Sequence, residues 1–213
     1  MRLIACDVTK IIKGNVILSH INLTMESGNI YCFSGPNGCG KTMLFRALSG
    51  LISISSGTIL LDDKVLKKDF SVLPNLGILL ENVSLYPDLT GCENLEYLAH
   101  FQKKINRTDI ENALQRVGLD PHDKRNYAKY SLGMKQRLAI AQAFMEKPDI
   151  IMLDEPTNSL DQDAVAMVHK IILEEKERGA LILLTSHYQN DIYSLTDYVY
   201  YMKNGTLYSE RRA

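Results

Sequence analysis

Eight residues constrain this chain more than any others: Gly35-Pro36-Asn37-Gly38-Cys39-Gly40-Lys41-Thr42. They match the spacing G-x-x-x-x-G-K-[ST]. Before them, Ile30-Tyr31-Cys32-Phe33 is an apolar run suited to a strand buried on both faces; after them a helix is predicted from Lys41 to about Ser49, with Gly50 as its stop. Strand, glycine-rich loop and helix in that order form a phosphate cradle. The glycines let successive backbone N–H groups turn inward, and the helix start aims its positive dipole end at the same anion. In such a cradle Lys41 reaches the β- and γ-phosphates and the Thr42 hydroxyl binds Mg²⁺. A turn that merely joins strand to helix is the competing reading, but the four fixed positions arise by chance in roughly one chain in a hundred of this length. Two positions are less ordinary. Met43 brings no hydroxyl, so only its backbone N–H can serve the α-phosphate. Cys39 lies inside the loop, where the helix dipole can lower its pKa and make it reactive when no nucleotide is bound.

Composition excludes several other classes. With 213 residues, 46% of them hydrophobic, the chain can form one domain, or one domain plus a small subdomain, with a real core. A formal net charge of -1 leaves no basic excess for a nucleic-acid backbone, so no nucleic-acid partner is expected. No apolar run approaches the roughly 18 residues of a membrane span, and Met1 to Asp7 contains no secretory core, so a cytosolic location is expected. Cys6, Cys32 and Cys92 show no metal-binding spacing and read as core or surface thiols.

The periodicity changes along the chain. Residues 2–34 read mainly as strands, with near-alternation over Val16 to Met25. From about Pro87 to Lys147 the reading is mostly helical: Glu93 to Gln102, Thr108 to Val117 opening on a capping box at Thr108-Asp109-Ile110-Glu111, and Met134 to Met145. Strands return at Ile150 to Leu153 and Leu181 to Thr185, separated by an amphipathic helix from about Asp163 to Arg178. That order implies a parallel βαβ unit. Tyr198 to Met202, a turn at Asn204-Gly205 and Leu207-Tyr208 suggest a closing hairpin. The expected architecture is a single α/β domain. Residues 1–83 and 148–213 form the phosphate-loop core with an N-terminal antiparallel β subdomain, and residues 84–147 form an inserted helical subdomain.

Ile150-Ile151-Met152-Leu153-Asp154-Glu155 is an apolar strand ending in two carboxylates. Asp154 is placed to hold a Mg²⁺ shell and Glu155 to face an attacking water. Three neighbours add weight: Tyr130-Ser131-Leu132-Gly133-Met134-Lys135-Gln136-Arg137 upstream, Asn158-Ser159-Leu160-Asp161 downstream, and Thr185-Ser186-His187 after the next strand. In that order these resemble the signature, D-loop and switch-histidine motifs of the ATP-binding cassette (ABC) family, the nucleotide-binding subunits of ABC transporters. The resemblance covers essentially the whole chain.

It implies an ATPase with a RecA-like core that takes ATP and Mg²⁺ and works as a head-to-tail pair, either a homodimer or a pair with a close homologue. Gly35, Pro36, Asn37, Gly38, Cys39, Gly40, Lys41, Thr42 and Met43 would hold one nucleotide. Ser131, Gly133 and Met134 would bind the γ-phosphate of the nucleotide held by the other copy. Glu155 would be the general base, His187 a hydrogen-bonding switch on the γ-phosphate, and Asp161 a contact across the pair. The implied partner is a separate membrane permease that holds the chain against the inner face of the cell membrane.

Two departures carry information. The family usually has a metal-side glutamine where Gly77-Ile78-Leu79-Leu80-Glu81-Asn82 places Glu81. Its carboxylate joins Thr42 and Asp154 as an expected metal group, and binding should become more metal-dependent. The family also stacks adenine on an aromatic residue where this chain has Ile12, so base selectivity should relax. Glu81, the Tyr86-to-Leu95 segment and the signature form Ser131-Leu132-Gly133-Met134-Lys135 are similar to the bacitracin and lantibiotic exporter branch, which implies export of an antimicrobial peptide, antibiotic or similar amphiphile. The alternatives are a non-transport ABC ATPase of cofactor assembly or DNA metabolism, and a nucleoside-monophosphate kinase, which would leave Ser131 to Arg137 without a role.

Overall fold

The computed structural model describes residues 1–81, 84–186 and 195–211, with side chains through Tyr208 in the last stretch. In chain order its elements are β1 Arg2–Ile12, β2 Asn15–Glu26, β3 Ile30–Ser34, α1 Lys41–Ser49, β4 Ser56–Leu61, β5 Lys64–Val65, β6 Leu76–Leu79, α2 Gly91–Gln102, α3 Arg107–Arg116, α4 Leu132–Phe144, β7 Ile150–Asp154, α5 Gln162–Glu177, β8 Leu181–Thr185, β9 Tyr198–Lys203 and β10 Thr206–Arg211. The strands form an antiparallel sheet in the order β2-β1-β4-β5 and a six-stranded sheet in the order β10-β9-β3-β8-β7-β6. In the larger sheet β9, β3, β8, β7 and β6 run parallel, and β10 returns antiparallel beside β9.

The central strands explain the layering. β3, β7 and β8 are five residues each and buried throughout, and their side chains alternate between two cores as a period of two requires. Ile30, Cys32, Ile151, Leu153, Ile182 and Leu184 enter one core with residues of α2, α3, α4 and α5. Tyr31, Phe33, Ile150, Met152, Leu181 and Leu183 enter the other, with α1 and the antiparallel sheet. Phe33 and Phe45 meet edge to face there at 5.6 Å, an arrangement worth about 1 kcal/mol beyond the area buried. The phosphate loop therefore leaves the C-terminal end of a strand clamped on both faces.

The helices between β6 and β7 pack into the first core alongside the sheet: Leu95, Leu114 and Leu138 share one cluster with Ile151 and Ile182. Polar contacts reinforce the attachment. Arg116 at the end of α3 reaches Glu174 at 2.9 Å and the buried Glu175 at 3.0 Å on α5, and Glu175 also accepts from Arg178 at 2.7 Å. Removing one partner from a buried carboxylate is costly, so these contacts fasten α3 to α5.

Two local expectations change. The cap of α3 is Asn106, whose side chain accepts from Asp109 N while the Asp109 carboxylate accepts from Asn106 N. The box thus begins two residues before Thr108, because Asn106 takes the extended backbone that a cap needs. β4, β5 and β6 occupy a stretch for which the sequence reading assigned no strand. Among the described residues no helix is long and apolar enough to cross a membrane.

Candidate active site

The loop from Gly35 to Gly40 depends on two backbone positions that other residues would not tolerate. Gly35 has φ 153°, and a Cβ on it would overlap the carbonyl oxygen of Met202. Gly40 has φ 112°, and a Cβ there would lie 2.8 Å from Met202 Cε and 3.1 Å from Ile17 O. Pro36, Asn37 and Gly38 form the exposed rim. Gly40 is the N-cap of α1 and no side chain caps that helix, so its first N–H groups are left for an anion. Lys41 is buried, and its ammonium donates to Gly35 O at 2.7 Å and Pro36 O at 3.5 Å, folding back over the loop. Met43, in the first turn of α1, is half-buried.

Cys39 corrects an expectation. It is 6% exposed and packs in the core shared with Leu44 and Phe45, while its carbonyl accepts from Gly205 N at 3.0 Å. Reactive thiols sit partly exposed, so this cysteine packs as a small apolar residue.

The parallel register of β7 and β8 sets Asp154 opposite Thr185. Asp154 is buried, and its two carboxylate oxygens accept from Thr42 Oγ1 at 2.5 Å and Thr185 Oγ1 at 2.6 Å. The Thr185 hydroxyl in turn accepts from Glu155 N at 2.9 Å. Glu155 itself is 6% exposed and has φ 50°, a left-handed backbone uncommon for a non-glycine residue and frequent where a side chain must be aimed. A serine or threonine hydroxyl beside a buried carboxylate is a hard-oxygen set suited to Mg²⁺, which takes one or two protein groups and completes its shell with phosphate and water. The residues present therefore fit the ion. Thr185 had no assigned role in the sequence reading; its signal is its place at the end of a strand paired with the Asp154 strand.

A cleft of about 570 Å³ opens beside these carboxylates, lined among others by Glu81, Asp154, Glu155, Leu132, Lys135 and Gln136. Glu81, two residues beyond β6, is thus brought to the same cleft as Asp154. Gln136 ties α4 to the carboxylate strand by donating to Pro156 O at 3.0 Å and Glu155 O at 3.4 Å. That link, too, was not foreseen from sequence.

The remaining expected residues lie on other elements. Ser131 is the exposed N-cap of α4, its Oγ accepting from Met134 N at 3.2 Å, which leaves the hydroxyl proton free to donate outward. Gly133 faces Ser159: a Cβ on it would lie 3.1 Å from Ser159 O. Asp161 caps α5 by accepting from Ala164 N at 2.9 Å. Ile12 ends β1 at 38% exposure, beside the exposed Ile11 and Val16, on the hairpin whose Ile17 approaches Gly40. His187 lies outside the described residues.

The profile of a family described as "ABC transporter" matches residues 18–158. The uncharacterized ABC transporter ATP-binding protein YybJ of Bacillus subtilis (strain 168) is 47% identical over 201 residues, spanning 94% of this chain and 92% of its own length. The bacitracin transport ATP-binding protein BcrA of Bacillus licheniformis is 36% identical, spanning 96% of this chain and 67% of its own. Among solved structures, the dimeric bacterial ABC transporter cassette MJ0796 superposes with a TM-score of 0.89 at 24% identity, over 99% of each chain.

Proposed function

The chain belongs to the ABC transporter family, as one of its ATP-binding ATPases, and from that premise we propose that it closes with a second copy around two ATP molecules and drives a separate membrane permease. The observation that carries this reading is the hydrogen-bonded run from Thr42 through Asp154 to Thr185 and the Glu155 backbone. It joins the phosphate loop to the neighbouring strand ends, so an event at the phosphates is felt at the base.

In this reading the first turn of α1 and Lys41 bind and orient the β- and γ-phosphates, the ammonium leaving the Gly35 and Pro36 carbonyls to do so. Thr42 and Asp154, joined by Glu81, would hold the metal. Bound Mg²⁺ supplies charge neutralisation on the transferring phosphoryl group. Glu155 takes the proton of the attacking water, and the buried strand end beneath it fixes its direction. Ser131, Gly133 and Met134 would bind the γ-phosphate held by the other copy, the Ser131 hydroxyl donating to it, with Asp161 at the same contact and His187 as switch. Ile11, Ile12 and Val16 offer the base an apolar seat without stacking, so GTP should serve nearly as well as ATP.

The permease docks on the helical block, where exposed Tyr86, Tyr97 and Phe101 stand edge to face at 4.8 and 5.4 Å just beyond the Glu81 loop. This contact would hold the chain at the inner membrane face. The likeness to BcrA favours an exporter of an antimicrobial peptide, antibiotic or similar amphiphile. The two-part division, with residues 84–147 as a helical subdomain on the remainder, is part of the same proposal. Glu155→Gln tests it: turnover should fall at least a hundredfold while MgATP binding persists. Turnover at the normal rate would remove Glu155 as the base.

A further inference from the structure

We propose that Lys135 is a positioning residue for the reaction, the counter-charge that lets this chain carry a carboxylate at Glu81. The inference rests on the reading of Glu81 as a metal-side group. Three carboxylates, Glu81, Asp154 and Glu155, line one cleft, and Lys135 lines that same cleft as a cation.

The position of Lys135 is set by the helix and by an aromatic ring. It lies one turn into α4, with its backbone N–H donating to Ser131 O at 2.9 Å. Its ammonium lies 5.2 Å from the ring centroid of Tyr127, which is buried and lines the cleft as well. A lysine seated on a ring keeps its charge on the cleft side, the ring contact offsetting the conformational freedom that the side chain gives up. The next residue, Gln136, is bonded to the backbone of Glu155 and Pro156, so this turn of α4 is registered against the strand end that bears the carboxylates.

The electrostatic need is specific to Glu81. An amide there would be neutral, whereas a carboxylate adds a negative charge where the γ-phosphate of an incoming nucleotide must approach. A cation across the cleft offsets that repulsion, and it does so more strongly in a partly closed cleft than in open water. Lys135 also stands on the same helix as Ser131, so the Glu81–Lys135 attraction couples the loop before the helical block to the orientation of the signature helix.

The test is a double-mutant cycle on the purified chain, reading the KM for MgATP, kcat and the Kd of a fluorescent ATP analogue with Mg²⁺ at low and high salt. Lys135→Met keeps the length and apolar bulk of the side chain. It should raise KM and Kd by roughly threefold to tenfold with a smaller change in kcat, an effect that shrinks as salt screens the cleft. Lys135→Arg should restore the parent values. In a Glu81→Gln background Lys135→Met should change KM and Kd less than twofold, because no excess charge remains to offset. An equal effect of Lys135→Met in both backgrounds, or none in either, would overturn the pairing. Failure of the underlying reading has its own signature: Glu81→Gln alone would leave the Mg²⁺ concentration for half-maximal binding unchanged.

Discussion

Two helix starts in this molecule are built in opposite ways. α1 begins at a glycine with no capping side chain, after a loop that leaves a strand clamped between two cores, and Lys41 and Thr42 beside it are held by bonds to Gly35 O and Asp154. α4 begins at Ser131, which is exposed and capped by its own hydroxyl, and the next residue, Leu132, is 68% exposed. The first start is held in place within the single chain. The second has a hydroxyl proton and a helix dipole aimed at solvent, and within the proposed function it meets its phosphate only when another copy brings one.

That contrast can be broken at four places. The largest effect should come from Lys41→Ala, which removes the cation of the α1 site; nucleotide Kd should rise at least a hundredfold by fluorescence titration. Retained binding would mean that the loop amides suffice alone. Next, Arg116→Ala should lower stability by about 2 kcal/mol in urea unfolding, since Glu175 is buried and loses one of its two cations. Nucleotide affinity should stay unchanged, because only the mounting of the helical block is touched. Ser131→Ala should leave binding to the single chain intact yet slow turnover about tenfold, the reverse of the Lys41 pattern. The smallest effect belongs to Ile12→Tyr, which supplies a stacking ring and should tighten ATP about threefold while widening its lead over GTP, read by competition.

The α1 site was legible in the sequence because its chemistry is local: glycines, lysine and threonine are fixed within eight residues, and the strand before and the helix after them announce themselves by burial and by Gly50. The carboxylates Asp154 and Glu155 were legible for the same reason. What supports them was not. Thr185 meets Asp154 through the register of two parallel strands 31 residues apart, and Gln136 reaches Glu155 across 19 residues; neither partnership leaves a mark in linear spacing. β5 has two residues and β6 four, too short for a periodicity to emerge. Asn106 caps α3 in place of Thr108 because two capping boxes overlap in the sequence there, and only the backbone decides between them. Cys39 reads as reactive from its loop position, and only the core it shares with Leu44, Phe45 and Met202, together with the Gly205 N–H on its carbonyl, shows that it is enclosed.

The central claim is that one chain holds two half-sites that complete each other only across a pair. Mixing tests it directly: a Lys41→Ala chain and a Ser131→Ala,Gly133→Trp chain, each inactive alone, are combined in equal amounts and ATP hydrolysis is measured. Hydrolysis should reappear on mixing, because a mixed pair contains one site with an intact phosphate loop from one chain and an intact signature helix from the other. A mixture as inactive as its components would place both groups of residues in the service of a single chain's nucleotide and contradict the account.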